Sequence, residues 1–187
     1  MALRNSEARY GGVAIALHWL VAALVIGQFV LANLAEAAEE SGSLMGQIMW
    51  LARHKSVGIT ILGVAFLRIA WRLANPVPSH PAGMPGWQRV AASSTHWALY
   101  ALLFALPLTG WAMSSAANFP VSVFGVVTLP DFVAADEALK KTLAEVHEVL
   151  ATALFGLALL HILAALKHQF VDRDGTLARM FGFGASR

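Results

Sequence analysis

Cysteine is absent from this 187-residue chain. Without thiols there is no disulfide, no thiolate zinc site, no iron–sulfur cluster and no covalently attached c-type haem. The redox compartment therefore leaves no mark on the sequence. Charge is the second scarcity. Asp, Glu, Lys and Arg make up 13% of residues, about half the share a soluble domain carries. No carboxylate lies deep in any long apolar stretch, which disfavours zinc or di-metal carboxylate chemistry there. Internal repeats and low-complexity tracts are also missing. No nucleic-acid partner is expected.

Hydrophobic residues are abundant instead, at 58%, with mean hydropathy +0.63. Four stretches reach the roughly 20 residues needed to cross about 30 Å of hydrocarbon: about 14–35, 52–74, 96–117 and 147–169. The second is the weakest, with Arg53 and Lys55 at its start and Arg68 and Arg72 at its end. Those long side chains can snorkel to the interfaces. The expected fold is all-α, a transmembrane four-helix bundle forming a single membrane domain over 1–187 in the lipid bilayer. Cations set its orientation. Arg4, Arg9, Arg68, Arg72, Arg89, Lys167, Arg173, Arg179 and Arg187 fall on one side, against Arg53, Lys55, Lys140 and Lys141 on the other. Nine against four puts both termini in the cytoplasm. Eight of the eleven acids fall outside. The N-terminus carries Glu7 and lacks a small-residue cleavage site, so it reads as a retained cytoplasmic tail. Segment 74–86, with four prolines, reads as an irregular connection. Segment 118–145 reads as a longer outer loop, whose FPVSVFGVVTLP run is broken by Pro120, Gly125 and Pro130 and lies on the rim. DEALKKTLAEVHEVL then looks helical and leads into the fourth span.

The histidines carry the chemistry. His147, His161 and His168 lie along the last span, and ionisable groups in hydrocarbon are read as functional by default. The first two are 14 residues apart, a rise of roughly 21 Å with a rotation about 40° short of whole turns. One helical face then offers two imidazoles at two depths, a spacing that suits two stacked haems. Depth pairs His54 with His147 near the outer side and His18 with His161 in the inner half. Each pair comes from two helices, as ligation inside a bundle requires, and neutral imidazole is a standard axial ligand of haem iron. His168 is only seven residues beyond His161, a rise of about 10 Å, so the two cannot each hold a separate haem. Either could partner His18, and depth favours His161. His96 and His168 sit at the cytoplasmic boundary, suited to haem propionates, a quinone head group or proton relay. His80 reads as a solvated loop residue. Arg53 and Lys55 bracket His54, where they can neutralise propionates or draw in an anion. Gly58, Gly63 and Gly156 either admit a flat porphyrin or only pack helices.

Several segments together resemble the bacterial cytochrome b561 family: HWL at 18–20, RHKSVGI at 53–59, HWALYALLFALPLTG at 96–110, HEVLA at 147–151 and LHILAALKHQF at 160–170. The resemblance spans nearly the whole chain and rests on the number and order of the histidines. It implies a di-haem b protein of the bacterial inner membrane, with axial ligands at His18, His54, His147 and His161. It further implies an oxidoreductase of superoxide oxidase type, passing electrons from periplasmic superoxide to ubiquinone. Arg53 and Lys55 would mark the entry side, with quinone near His168 or His96. Relatives of this kind also serve as cytochrome b anchor subunits that carry electrons from a docked periplasmic dehydrogenase or hydrogenase, and spacing does not separate the uses. A haem-free proton carrier is a third reading, in which the depth pairing is coincidence.

Overall fold

The computed structural model describes residues 2–81 and 83–182. Arg187, one of the cations counted above, lies outside them. Four helices dominate: α1 (Gly12–Glu40), α2 (Leu44–Ala74), α3 (Gly86–Ala116) and α4 (Glu137–Lys167). Each is long and apolar enough to cross a membrane, so the fold is all-α with four spanning helices. A π-helical turn, His168–Asp172, continues α4, and a short 3-10 turn covers Ala178–Phe181.

The helix ends follow capping chemistry. Gly42 adopts φ 73°, the left-handed conformation that closes α1, and the Ser43 N–H bonds back to the Ala38 carbonyl at 2.9 Å. Ser43 then starts α2, its hydroxyl accepting from the Gly46 N–H at 3.3 Å. Asp136 caps α4, accepting from the Ala138 and Leu139 N–H groups at 2.8 and 3.0 Å. These caps lie outside the apolar runs. The helices therefore outrun the expected crossings: α2 starts at Leu44, α3 at Gly86 and α4 at Glu137 rather than near 52, 96 and 147.

The chain divides into two compact units, and every spanning helix contributes to both. The first comprises Met1–Leu20, Phe66–Leu102 and Ala153–Arg187; the second comprises Val21–Ala65 and Leu103–Thr152. In the second unit Val21, Ile61, Ala65 and Leu103 form a buried core, with Val57, Val64 and Phe104 packed on it. Outward-facing side chains such as Ile26 (65% exposed) and Val149 (68%) are apolar. Water would penalise such a surface, whereas lipid accepts it.

The rim segment forms no spanning helix, and it carries a hairpin that the sequence does not reveal. Residues 122–128 form a small hairpin, Ser122–Val123 (β1) antiparallel to Val127–Thr128 (β2). Phe124 and Gly125 both have positive φ, and the Val126 N–H bonds the Val123 carbonyl at 3.0 Å. Gly125 turns the chain rather than breaking it, as hairpin turns of this kind require. Ser56 on α2, only 2% exposed, anchors the hairpin. Its hydroxyl accepts from the Phe124 N–H at 2.9 Å and lies 3.1 Å from the Ser122 carbonyl.

In the first unit three segments are laced together. Asn5 Nδ2 donates to the Pro76 carbonyl at 3.0 Å, and the Ser79 N–H donates to Glu7 at 3.1 Å. Arg179 reaches the Ser79 carbonyl at 2.8 Å. Trp19 Nε1 donates to the Met180 carbonyl at 2.7 Å, with its ring 4.8 Å from that of Phe181. The 74–86 connection is irregular, as expected, but it is held by both terminal segments.

Candidate functional site

In the second unit, His54 on α2 and His147 on α4 face each other with ring centroids 6.3 Å apart and planes at 68°. Helix α3 supports His147. The Thr109 hydroxyl donates to the Leu106 carbonyl at 3.0 Å and lies 3.0 Å from His147 Nδ1. With its one proton given to Leu106, the hydroxyl oxygen is free to accept from Nδ1–H, the tautomer that leaves the Nε2 lone pair available. Gly110 makes room: a Cβ there would stand 3.2 Å from His147 Cε1. Pro107, inside the same helix, removes a backbone donor just before this contact. On the other side, His54 Nδ1 is buried without a hydrogen bond, as is Gln28 Oε1. The Gln28 carbonyl lies beside the His54 ring without reaching hydrogen-bond geometry.

The first unit holds a larger cluster. His18 on α1 and His161 on α4 stand 6.2 Å apart, planes at 75°. His96, ten residues into α3, sits closer still, with its ring centroid 5.3 Å from that of His161. His96 thus stands beside one of the paired imidazoles. Arg68 turns inward: its Nε donates to the Tyr100 hydroxyl at 3.0 Å. The Arg72 guanidinium lies over the Trp97 ring at 5.6 Å and that of Tyr100 at 6.0 Å. Tyr100 lies one turn beyond His96 on α3, so its bond tethers Arg68 on the helix face that carries His96. Both arginines meet aromatic and phenolic partners on α3.

Ring spacing tests the fit to haem. An iron bracketed by two imidazoles sits about 2 Å from each ligating nitrogen, with each ring centre about 1 Å further out, so the centres stand about 6 Å apart. The separations of 6.2 and 6.3 Å meet that requirement, whereas 5.3 Å for His96–His161 is too short. An added Cβ at Gly63 or Gly156 would meet nothing within 4 Å, while one at Gly58 would crowd Gln28 Nε2 at 3.1 Å.

Residues 9–183 match the family described as prokaryotic cytochrome b561. The chain belongs to the prokaryotic cytochrome b561 family. It is 35% identical over 186 residues to cytochrome b561 homolog 2 of Escherichia coli K12, covering 100% of this chain and 98% of that protein. It is 33% identical to a Yersinia pestis protein named probable superoxide oxidase CybB, covering 92% and 95% of the two chains. A Cereibacter sphaeroides cytochrome b562 matches at 27% identity over 94% of this chain and 97% of its own length. Membership of the cytochrome b561 family carries b-type haem binding and transmembrane electron transfer, in a multi-pass membrane protein.

The remaining predicted positions fall outside the two pairs. His168 Nδ1 lies 2.7 Å from Asp174 Oδ2 and 3.0 Å from Asp172 Oδ2, and Lys167 pairs with Asp172 at 2.6 Å. Burial alone would raise the Asp174 carboxyl, but hydrogen bonds from Thr176 and from the His168 ring hold it below the usual carboxylate value. Arg53 lies over the Trp50 ring at 4.6 Å. Lys55 Nζ lies 4.0 Å from the Phe119 ring centre and 3.4 Å from the Phe119 carbonyl. His80 is exposed.

This cytochrome b561 chain conceals some supporting residues from pattern reading. Thr109, Gly110 and Tyr100 are ordinary membrane-helix residues until a partner helix faces them. Gln28 was the one available signal, an amide in the middle of an apolar run.

Proposed function

We propose that the protein moves single electrons across the bacterial inner membrane, from a donor on the outer side to ubiquinone, with superoxide as the donor. His18 with His161 and His54 with His147 would serve as the axial ligands of two b haems. The observation that carries this reading is the pair of imidazole couples at 6.2 and 6.3 Å within a cytochrome b561 chain. When bound, each haem supplies a one-electron couple tuned by its axial ligands, its burial and the charge around it.

The chain's own residues divide the remaining work. Thr109 holds His147 in the tautomer that presents Nε2, a supporting contact of the kind that raises ligand basicity. Arg53 and Lys55 flank His54 and attract an anionic donor such as superoxide; this reading agrees with the name of the Yersinia relative. Their pull acts at short range, because eight acids share the second unit and salt screens beyond about 10 Å. With the cation-rich segments facing the cytoplasm, both termini and the 74–86 connection lie inside. Quinone binds near His168 or His96, where the Asp172–His168–Asp174 contacts are placed to exchange protons. The whole chain acts as one membrane domain.

A second reading has its own observation. The hairpin exposes Phe124 (61%), Val126 (84%) and Val127 (56%), an apolar surface on which a periplasmic dehydrogenase or hydrogenase could dock. The chain would then be its cytochrome b anchor subunit.

Purified full-length protein decides between them. We expect two haems per chain with low-spin bis-imidazole spectra, reduced by superoxide and reoxidised by ubiquinone. A colourless protein would end both readings. Two haems that superoxide leaves oxidised, together with a co-purifying dehydrogenase that reduces them, would transfer the assignment to the anchor subunit.

A further inference from the structure

We infer that Arg68 and Arg72 bind the two propionate carboxylates of the haem held by His18 and His161, an inference that rests on the reading above. Charge imbalance motivates it. Among its described residues the first unit has eight cations: Arg4, Arg9, Arg68, Arg72, Arg89, Lys167, Arg173 and Arg179. Its acids are Glu7, Asp172 and Asp174. Asp172 and Asp174 are engaged by Lys167 and His168. No described carboxylate lies within ion-pair distance of Arg68 or Arg72; Arg68 meets a phenol and Arg72 two aromatic rings. Arginines within a spanning helix are costly without an anionic partner.

The donors converge on one place. Arg68 and Arg72 are one turn apart on α2, a spacing that presents both guanidiniums on the same face. Tyr100, 7% exposed, accepts from Arg68, so its own O–H remains to be donated. Between the two arginines in sequence, the Trp71 indole N–H is buried and lacks an acceptor. Tyr100 lies one turn beyond His96 on α3, and the His96 ring stands 5.3 Å from that of His161, so the Arg68 donors lie on the side of the paired rings where a propionate would hang. Two planar guanidiniums match two carboxylates in fork geometry.

An oxyanion at this place could also come from a phospholipid headgroup, so the test separates the sources. Holoprotein is prepared with haem carrying ¹³C in its propionate carboxyls, as wild type, Arg68→Gln/Arg72→Gln and Arg68→Lys/Arg72→Lys. The readouts are the isotope-shifted carboxylate infrared bands, the midpoint potential of each haem and the bound phosphorus. In the Gln variant we expect the labelled bands to move. The reduced-to-oxidised ratio of that haem, poised at its wild-type midpoint, should fall about tenfold, equivalent to 59 mV for one electron. The Lys variant should recover part of both changes. The haem of the His54–His147 pair is the internal control for folding. Unmoved labelled bands in the Gln variant overturn the inference, and lost phosphorus alongside them assigns the arginines to lipid. If His18→Ala and His161→Ala each leave both haems in place, the ligand assignment itself fails, whatever the arginines do.

Discussion

The two imidazole pairs are near twins in spacing and opposites in surroundings. Ring centroids stand 6.2 Å apart in the first unit and 6.3 Å in the second. The first pair has a third imidazole against it and two inward arginines. The second has a threonine and a glycine on the neighbouring helix instead. Charge separates them further. The first unit carries eight described cations against three acids; the second carries four (Arg53, Lys55, Lys140, Lys141) against eight. Positive surroundings favour the form that has gained an electron, and negative surroundings favour the form that has lost one. One ring geometry set in two charge environments would, with a haem in each pair, give two carriers of different potential. An electron would then run downhill from the acidic unit to the basic one, the direction proposed above.

The largest test of the comparison is to remove one twin. His147→Ala should strip the haem of the second unit and His161→Ala that of the first, each leaving about one haem per chain. His96→Ala should leave two, because rings 5.3 Å apart would not admit an iron between them. Haem titration of the three variants checks this, and loss of haem on removing His96 would break the assignment. Next in size is the support of His147. Thr109→Val removes the hydroxyl beside Nδ1 and should weaken haem retention about 10–100-fold, as loss of such supporting contacts does. The first-unit haem should be untouched, which a competition assay against an apo-haem acceptor would show.

Redox titration of the wild type sharpens the contrast at a smaller scale. The haem lost in His147→Ala should be the one of lower midpoint potential; the reverse order would contradict the charge argument. The smallest effect concerns Asp174. Its carboxyl titrates below the usual value of about 4. Its stabilising contribution is therefore full above that value and is lost as pH falls through the lower folded one. Hydrogen exchange of residues 168–176 should quicken only in that acid range, and Asp174→Asn should abolish the pH dependence at this segment.

The histidine pairs were legible because helix periodicity converts sequence spacing into depth, and depth leaves few pairings open. Lys167 and His168 near the end of α4 were visible too, but not what they bind: Asp172 and Asp174 come round only because a π-helical turn follows α4. Arg68 and Arg72 looked like interface anchors. Nothing in a hydropathy profile says that Tyr100 and Trp97, thirty residues later, stand where those side chains can turn inward. The hairpin within the rim segment was hidden for a similar reason. Gly125 and the prolines read as breaks, but Ser56 on another helix satisfies the hairpin backbone and makes a turn stable there.

Composition and periodicity by themselves determined four apolar helices, the absence of thiol chemistry and the candidate ligands, because lipid demands long helices with internally bonded backbones and few charges. Which ring faces which, which nitrogen of His147 keeps its proton, and where the unpaired arginines point were decided only by tertiary structure. Those properties belong to side chains from different helices meeting within a few ångströms, and no local pattern encodes the rotation of one helix against another.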